Sequence, residues 1–408
     1  MGKQDLRDRY LIPTLAALGK CYTSDQAAAL LDQARLRQKA VKKFGAAAQQ
    51  MLFVDEALQQ ASGQAIARYR AARYASFAHV ADLGCGIGGD ALALGFKPQA
   101  EGANRARLLA LELDSVRALF AEHNLRVAGG PTFVQSEVVQ ADWTTYPFPP
   151  SVEAAFADPA RRVNGRRVFS LHQMQPSLGA ILAVQRQIPH MGVKVMPSVR
   201  QKELPLECEV EWITENGTCK EAVLWFGSLR TGAARTATVL QKPSQGASRA
   251  ERLTSHELLL SSQPIAITPP RAFLWEPDPS VIRATLVAAL AHQLHATQLD
   301  KQIAYLTSDA AINTPFARCW AVIEHAPFHL KTLKRRLRAL NAHVIAVKKR
   351  GSPIEPEPFR RRLKSNPQGQ AVTLFLTKHK GNAWMIICGE ELRNEELRIA
   401  DCGLRIAE

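Results

Sequence analysis

Residues 80–90 read Val-Ala-Asp-Leu-Gly-Cys-Gly-Ile-Gly-Gly-Asp, an acid at 82 followed by glycines at 84, 86 and 88. Glycine lets a backbone turn through left-handed conformations and approach a ligand closely. A helix opening behind such a turn adds partial positive charge. The apolar run Phe77 to Ala81 precedes the turn, and a helix-compatible stretch, Asp90 to Leu94, follows it. Strand, glycine turn and helix in that order predict a nucleoside site. Dinucleotide sites read G-x-G-x-x-G around a pyrophosphate. Here the spacing is D-x-G-x-G-x-G, and a carboxylate at 82 repels a pyrophosphate. It suits a cationic or zwitterionic ligand, such as the amino-acid end of S-adenosylmethionine.

Three further strand-like runs end in acids. Arg107 to Leu111 leads into Glu112-Leu113-Asp114, and a helix is predicted over Ser115 to Val127. Thr132 to Val139 leads into Gln140-Ala141-Asp142-Trp143, and Val152 to Ala157 into Asp158-Pro159. In open α/β sheets ligands bind at the carboxyl ends of strands. Glu112 and Asp114 are placed to accept ribose hydroxyls, and Asp142 an adenine amino group, with Trp143 packing on the ring. Each acid alone reads as a helix cap or a solvated side chain. Their repetition at successive strand ends predicts one cleft.

These segments carry a resemblance. DLGCGIGGD, ALELD, QADW and FADPARR look like the successive motifs of class I S-adenosylmethionine-dependent methyltransferases. DPARR with GRRVF, then LWEPDPSVIRA, IAYLTSD, TPFA, VIAVKKRG and LFLTKHKG, resembles the bacterial subgroup with a C-terminal THUMP-like domain. The N-terminal KKF…MLF segment is similar in layout to cap-guanine N2 methyltransferases. The resemblance spans nearly the whole chain. It implies a Rossmann-like core with a mostly parallel seven-stranded sheet, S-adenosyl-L-methionine as cofactor, and RNA binding by the C-terminal part. It also implies that Asp82, Gly84, Gly86, Gly88, Glu112, Asp114, Asp142 and Trp143 bind the cofactor. Amino-methylating relatives often carry Asn/Asp-Pro-Pro-aromatic after the fourth strand. This chain keeps Asp158-Pro159 but continues Ala160-Arg161-Arg162, without the aromatic ring. Asp158 is expected to accept a hydrogen bond or proton from the methyl acceptor, beside Pro159. Arg161, Arg162, Arg166 and Arg167 are expected either to clamp a phosphate or to pair with acids at the sheet edge.

Charge is the second signal. The 408 residues carry a net charge of +15, and Lys331 to Lys364 holds twelve basic residues against Glu355 and Glu357, so ten of the fifteen net positive charges lie in that segment. Lys331 to Leu340 reads as a basic helix with Leu333, Leu337 and Leu340 on its apolar face, and Val344 to Val347 as a strand ending in Lys348-Lys349-Arg350. Such a patch, with Lys334, Arg335, Arg336, Lys348, Lys349 and Arg350 foremost, is the footprint of a phosphate backbone. A solvated helix face is the alternative.

The length suits two or three domains. No apolar run approaches the roughly 20 residues that span a bilayer, and the first residues lack an apolar signal core. Seven cysteines, at 21, 85, 208, 219, 319, 388 and 402, show no C-x-x-C and no paired Cys/His spacing. That predicts reduced thiols in a cytoplasmic protein, with no metal site. Cys85 reads as a small filler in the turn rather than a nucleophile.

The domain boundaries expected are 1–75 helical, with a capping box at Thr23 and Gln26 and Leu30, Ala34, Val41 and Phe44 at helical spacing. Residues 76–235 form the methyltransferase core, with a fifth strand at Val193 to Met196 and a hairpin about Asn216-Gly217. Residues 236–270 form a linker, and 271–408 an α+β THUMP-like domain. The expected activity is methylation of a base in structured RNA, tRNA or rRNA. Two alternatives stand beside it: a small-molecule or protein methyltransferase whose basic tail serves assembly, and a non-catalytic RNA-binding protein with a relict pocket.

Overall fold

The computed structural model describes residues 8–96, 106–130, 133–160, 162–163, 166–167, 170–241, 249–259, 264–363 and 366–392. They fall into two compact units, Met1–Glu209 with Glu221–Thr231, and Val210–Lys220 with Gly232–Glu408.

In the first unit a sheet is built from strands Gln135–Gln140, Arg107–Glu112, His79–Leu83, Ala154–Ala157, His190–Val195 and the end of Thr218–Trp225, in that spatial order. The first five run parallel, and Thr218–Trp225 is antiparallel to His190–Val195. The central strands are almost wholly buried, Asp82 and Lys194 included, as in a sheet covered on two faces. Helix Gly89–Gly95 follows strand His79–Leu83, and helix Ser115–Ala128 follows strand Arg107–Glu112. This is a Rossmann-like core, and its sheet in this unit holds six strands among the described residues where seven were expected. The fifth strand starts three residues earlier than Val193, and the third spans Gln135–Gln140.

The N-terminal helices belong to this unit. Helix Ser24–Phe44 is capped as expected, Thr23 Oγ1 accepting from the Gln26 N–H at 3.3 Å and Gln26 Oε1 from the Thr23 N–H at 3.1 Å. Its buried stripe is Ala27, Leu31, Leu36, Ala40 and Phe44, however, and Leu30 and Val41 face solvent. Burial of the slightly rotated stripe wins over the spacing read from Leu30 and Val41. Buried Asn124 joins this region to the core. Its Oδ1 accepts from the Leu52 N–H at 2.7 Å, and its Nδ2 donates to the carbonyls of Leu52 and Ile87 at 2.9 Å each.

In the second unit, Glu209–Glu215 from Val210 onward runs parallel to Arg235–Gln241, which pairs antiparallel with Arg249–Thr254. Strands therefore occupy part of the stretch read as linker. Arg249–Thr254 carries little apolar pattern, only Leu253 being fully buried, and its partner supplies the ladder. The remaining strands form a seven-stranded sheet ordered Thr297–Asp300, Ile303–Ser308, Phe273–Pro277, Ala317–Pro327, Asn382–Leu392, Gln370–His379 and Ala342–Lys349. Alternation sorts its residues into two cores. Leu274, Tyr305, Trp320, Phe375 and Ile386 pack together. Leu374 and Ile387 join Val344 and the helix residues Leu333 and Leu337 in the other, against which Phe359 of helix Pro356–Arg362 also packs. Among the described residues no helix is long and apolar enough to cross a membrane.

Candidate active site

The strand ends meet in register. Leu83 stands beside Leu111 and Ala157, and Glu112 beside Gln140. Past the ladder, Leu111 O accepts from the N–H groups of Gly84 at 2.9 Å and Cys85 at 3.0 Å, Glu112 O from Ala141 at 3.0 Å, and Leu83 O from Asp158 at 3.0 Å. The acids read from the sequence thus line one sheet edge.

Gly84, Gly86 and Gly88 all have positive φ, at 77°, 57° and 85°, where a Cβ is strained. Their surroundings differ. A Cβ at Gly84 would lie 3.2 Å from the Asp158 carbonyl oxygen and 3.7 Å from Trp143 Nε1, and one at Gly88 3.5 Å from Ala121 and Leu125. At Gly86 it would meet nothing within 4 Å. Gly84 and Gly88 close the turn onto its neighbours, and Gly86 leaves a cradle open.

The side chains divide by role. Glu112 is buried, its Oε2 accepting from the Gly86 N–H at 2.7 Å and its Oε1 from the Asp114 N–H at 3.0 Å. Asp114 caps helix Ser115–Ala128, accepting from the Arg117 N–H at 2.8 Å. Asp142 Oδ1 holds the following turn through the Thr144 N–H at 2.9 Å and Oγ1 at 2.7 Å. Trp143 is buried at the glycine turn. Cys85 is buried too, and burial, then the charges of Asp82 and Glu112, pushes its thiol well above the ordinary range, so it packs rather than attacks.

Beneath the turn lies a charged network that the sequence reading missed. Arg70, on helix Gln64–Ala71, is 1% exposed. It pairs with Asp90, with Glu221 at 2.8 Å and with Ser62 Oγ at 2.8 Å, and its guanidinium lies 4.4 Å over the Phe156 ring. Lys194, on strand His190–Val195, is 2% exposed and donates to Asp158 Oδ2 at 2.7 Å and Ser62 Oγ at 3.1 Å. Burial pulls the Arg70 charge down, but Asp90, Glu221 and Asp158 more than offset it, so its pKa is raised. The only sequence signal for these cations was Lys194 itself, a charge between Val193 and Val195 in an apolar strand.

Asp82 is fully buried, and neither carboxylate oxygen has a hydrogen-bond partner among the described residues. Burial, then the negative charges of Asp90 and Asp158, raises its pKa well above the usual carboxyl range, against the pull of Arg70 and Lys194. Four carboxyl groups, Asp82, Asp90, Asp158 and Glu221, thus surround two cations. Buried polar atoms are ordinarily matched, so unmatched acceptors two residues before the glycine turn fit a ligand that brings positive charge and N–H donors. The ammonium and sulfonium of S-adenosylmethionine have that chemistry.

Other expected residues lie elsewhere. Arg162, Arg166 and Arg167 fall on a two-residue antiparallel ladder just after Asp158-Pro159, and Arg161 lies outside the described residues. The basic residues of the C-terminal unit split into two sets. Lys348 pairs with Glu276 at 2.6 Å and Arg350 with the same acid at 3.6 Å, while Lys349 pairs with Glu355 at 2.5 Å. Arg336 pairs with Glu324. Lys331, Lys334, Arg335 and Arg338, on the outer side of helix Leu330–Ala339, have no carboxylate partner among the described residues.

Comparison with known proteins agrees with this architecture. Residues 317–390 match the family described as THUMP domain-like. A crystal structure from Porphyromonas gingivalis W83, of a protein classed by its name among the methyltransferases, aligns with a TM-score of 0.74 at 19% identity over 91% of this chain and 92% of that one. Uncharacterised S-adenosylmethionine-dependent methyltransferases of two Mycobacterium tuberculosis strains, CDC 1551 and H37Rv, are each 34% identical over 362 residues, 86% of this chain and 93% of theirs. With a buried, unmatched acid just before the glycine turn and a relative of that identity along most of its length, the chain belongs to the S-adenosylmethionine-dependent methyltransferases.

Proposed function

We propose that the methyl acceptor is a base in structured RNA, tRNA or rRNA. The observation that carries this reading is the outer side of helix Leu330–Ala339 in the THUMP-like domain. Its four cations have no carboxylate partner among the described residues, while Leu333 and Leu337 anchor the helix beneath them. Unpaired surface cations on a fixed element suit a phosphate backbone.

In this reading Asp82 faces the donor's ammonium end, the Gly86 cradle admits its backbone, and Glu112 and Asp142 accept from the nucleoside. S-adenosylmethionine supplies a methyl group on a sulfonium, which needs an aligned nucleophile rather than a strong base. Asp158 accepts a hydrogen bond from the amine of the acceptor base and so aims its lone pair. As the new N–C bond forms, the S–CH3 bond would break with its electron pair staying on sulfur, leaving S-adenosylhomocysteine, and the amine proton would pass to Asp158 or to water. Fixed orientation of this kind lowers barriers by removing translational and rotational freedom in advance.

Incubating the protein with methyl-labelled S-adenosylmethionine and total RNA from a deletion strain tests the reading. Label is expected in an RNA fraction, and nucleoside mass spectrometry then names the base. Label only in protein or small molecules overturns it. The second reading is a small-molecule or protein methyltransferase whose basic segment serves assembly, and what favours it is that Lys348 and Arg350 are taken up by Glu276 rather than offered to a phosphate backbone. A shallow salt dependence of RNA binding would support that alternative, because phosphate contacts give a steep one.

A further inference from the structure

We propose that Lys194 is the positioning residue for Asp158, holding one carboxylate oxygen so that the other meets the methyl acceptor. The proposal rests on the role given to Asp158 above. Lys194 sits in a strand between Ala154–Ala157 and Thr218–Trp225, flanked along that strand by the buried apolar residues Val193 and Val195. Burying an ammonium costs several kcal/mol unless it is paired and hydrogen-bonded. Here Lys194 Nζ reaches Asp158 Oδ2 at 2.7 Å, a short charge-assisted contact.

The other end of the arrangement is equally fixed. Ser62 Oγ, itself buried, accepts from Lys194 at 3.1 Å and from Arg70 Nη2 at 2.8 Å. Ser62 therefore ties the ammonium to the guanidinium, and Arg70 is held by Asp90 and Glu221. The Asp158 backbone is set too, by its bond to Leu83 O and by Pro159, which restricts the residue before it. Asp158 is the partly exposed end of this chain, its side chain 23% accessible against 2% for Lys194. The missing aromatic after Asp158-Pro159 removes one means of orienting an acceptor. A carboxylate locked from behind supplies another. Lys194 touches neither donor nor acceptor in this scheme. It acts through Asp158.

The test is a double-mutant cycle on the full-length protein, using whichever fraction the wild type labels as acceptor. Lys194→Met is expected to slow single-turnover methyl transfer by about 100-fold, the cost of a small misplacement of a reacting group. S-adenosylmethionine affinity should stay within about threefold. In an Asp158→Asn background the same change should cost less than about threefold, because its effect passes through the missing carboxylate. Lys194→Ala should regain rate with added propylammonium. A wild-type rate in Lys194→Met, an equal loss in both backgrounds, or a loss of donor affinity in place of rate overturns the proposal. Label appearing in protein rather than RNA overturns the RNA reading and leaves this cycle intact on the new acceptor. A crystal structure of Lys194→Met needs no acceptor. Asp158 is expected to leave its present rotamer, and an unmoved carboxylate overturns the proposal. The charge-balanced Asp158→Asn/Lys194→Met protein supplies a folded reference.

Discussion

The two units of this protein handle charge in opposite ways. In the methyltransferase core Arg70, Lys194, Asp82 and Glu221 are almost wholly buried, and the cations are bound to named partners. In the THUMP-like domain the cations are exposed or half-buried, some neutralised by Glu276, Glu324 and Glu355 and some not. Buried charges are weakly screened, so geometry decides what they do. Surface charges are screened by salt within about 8 Å at physiological ionic strength, so their number and freedom decide. Mutations in the first region should change stability and rate steeply. Those in the second should change affinity gradually and through salt.

The largest effect is expected at Arg70. Arg70→Met leaves Asp90 and Glu221 buried without their cation. Breaking a buried pair from one side costs about 3–5 kcal/mol, so urea unfolding should show a loss of that size. A loss below about 1 kcal/mol would mean that the network is not structural and would remove the contrast between the regions.

Asp82 comes next, and its effects have opposite signs in the free and donor-bound protein. Its folded pKa is raised, so the folded protein holds a proton that the unfolded chain releases in the ordinary carboxyl range. Stability from this group is intact below that range and falls as pH rises toward the folded pKa. Asp82→Asn abolishes this slope. The donor-free variant should unfold at a higher temperature than wild type at pH 7, with the difference vanishing toward pH 4. Donor affinity should fall by at least about tenfold, the worth of one lost charge-assisted hydrogen bond. Thermal scans across pH and calorimetric titration with S-adenosylmethionine measure the two. A variant that binds the donor as tightly as wild type would remove Asp82 from the site.

How much of this was legible beforehand follows from what is local. The glycine turn shows in sequence because three positive-φ positions within five residues demand glycine. The acids at 82, 112, 142 and 158 show because each follows its own strand-like run, and parallel pairing then aligns them. Arg70 and Ser62 lie in a segment that reads as ordinary helix and loop, and their meaning depends on Asp90, Glu221 and Lys194, up to 151 positions away. No local pattern encodes such a meeting. Strand Arg249–Thr254 was hidden because its ladder partner makes it a strand. The same limit applies to charge. The segment 331–364 announces its cations but not which of them Glu276, Glu324 and Glu355 occupy.

On the surface the expected effects are smaller. Replacing Lys331, Lys334, Arg335 and Arg338 with Gln should weaken RNA binding and reduce the slope of log affinity against log salt by about 3, at roughly 0.7–0.9 per phosphate contact. Folding should be unchanged, since Leu333 and Leu337 still anchor the helix. An unchanged slope would move the RNA contact elsewhere and favour the assembly reading.

The smallest effect separates two neighbours on one helix. Lys334 has no carboxylate partner among the described residues, whereas Arg336 engages both oxygens of Glu324, through Nε at 2.5 Å and through Nη2. The resulting hydrogen bond raises the Arg336 pKa further, the charge of Glu324 adding to it. Donors held by a carboxylate are not offered to a phosphate. Lys334→Gln should therefore cost about 0.7–0.9 in the salt slope. Arg336→Gln alone uncovers Glu324 and confuses lost contact with new repulsion. The paired change Arg336→Gln/Glu324→Gln leaves local charge unaltered and isolates the contact. Its slope should match wild type within error. A slope reduced as much as in Lys334→Gln would show that Arg336 leaves Glu324 when RNA arrives, and the division of this surface into occupied and available cations would then fail.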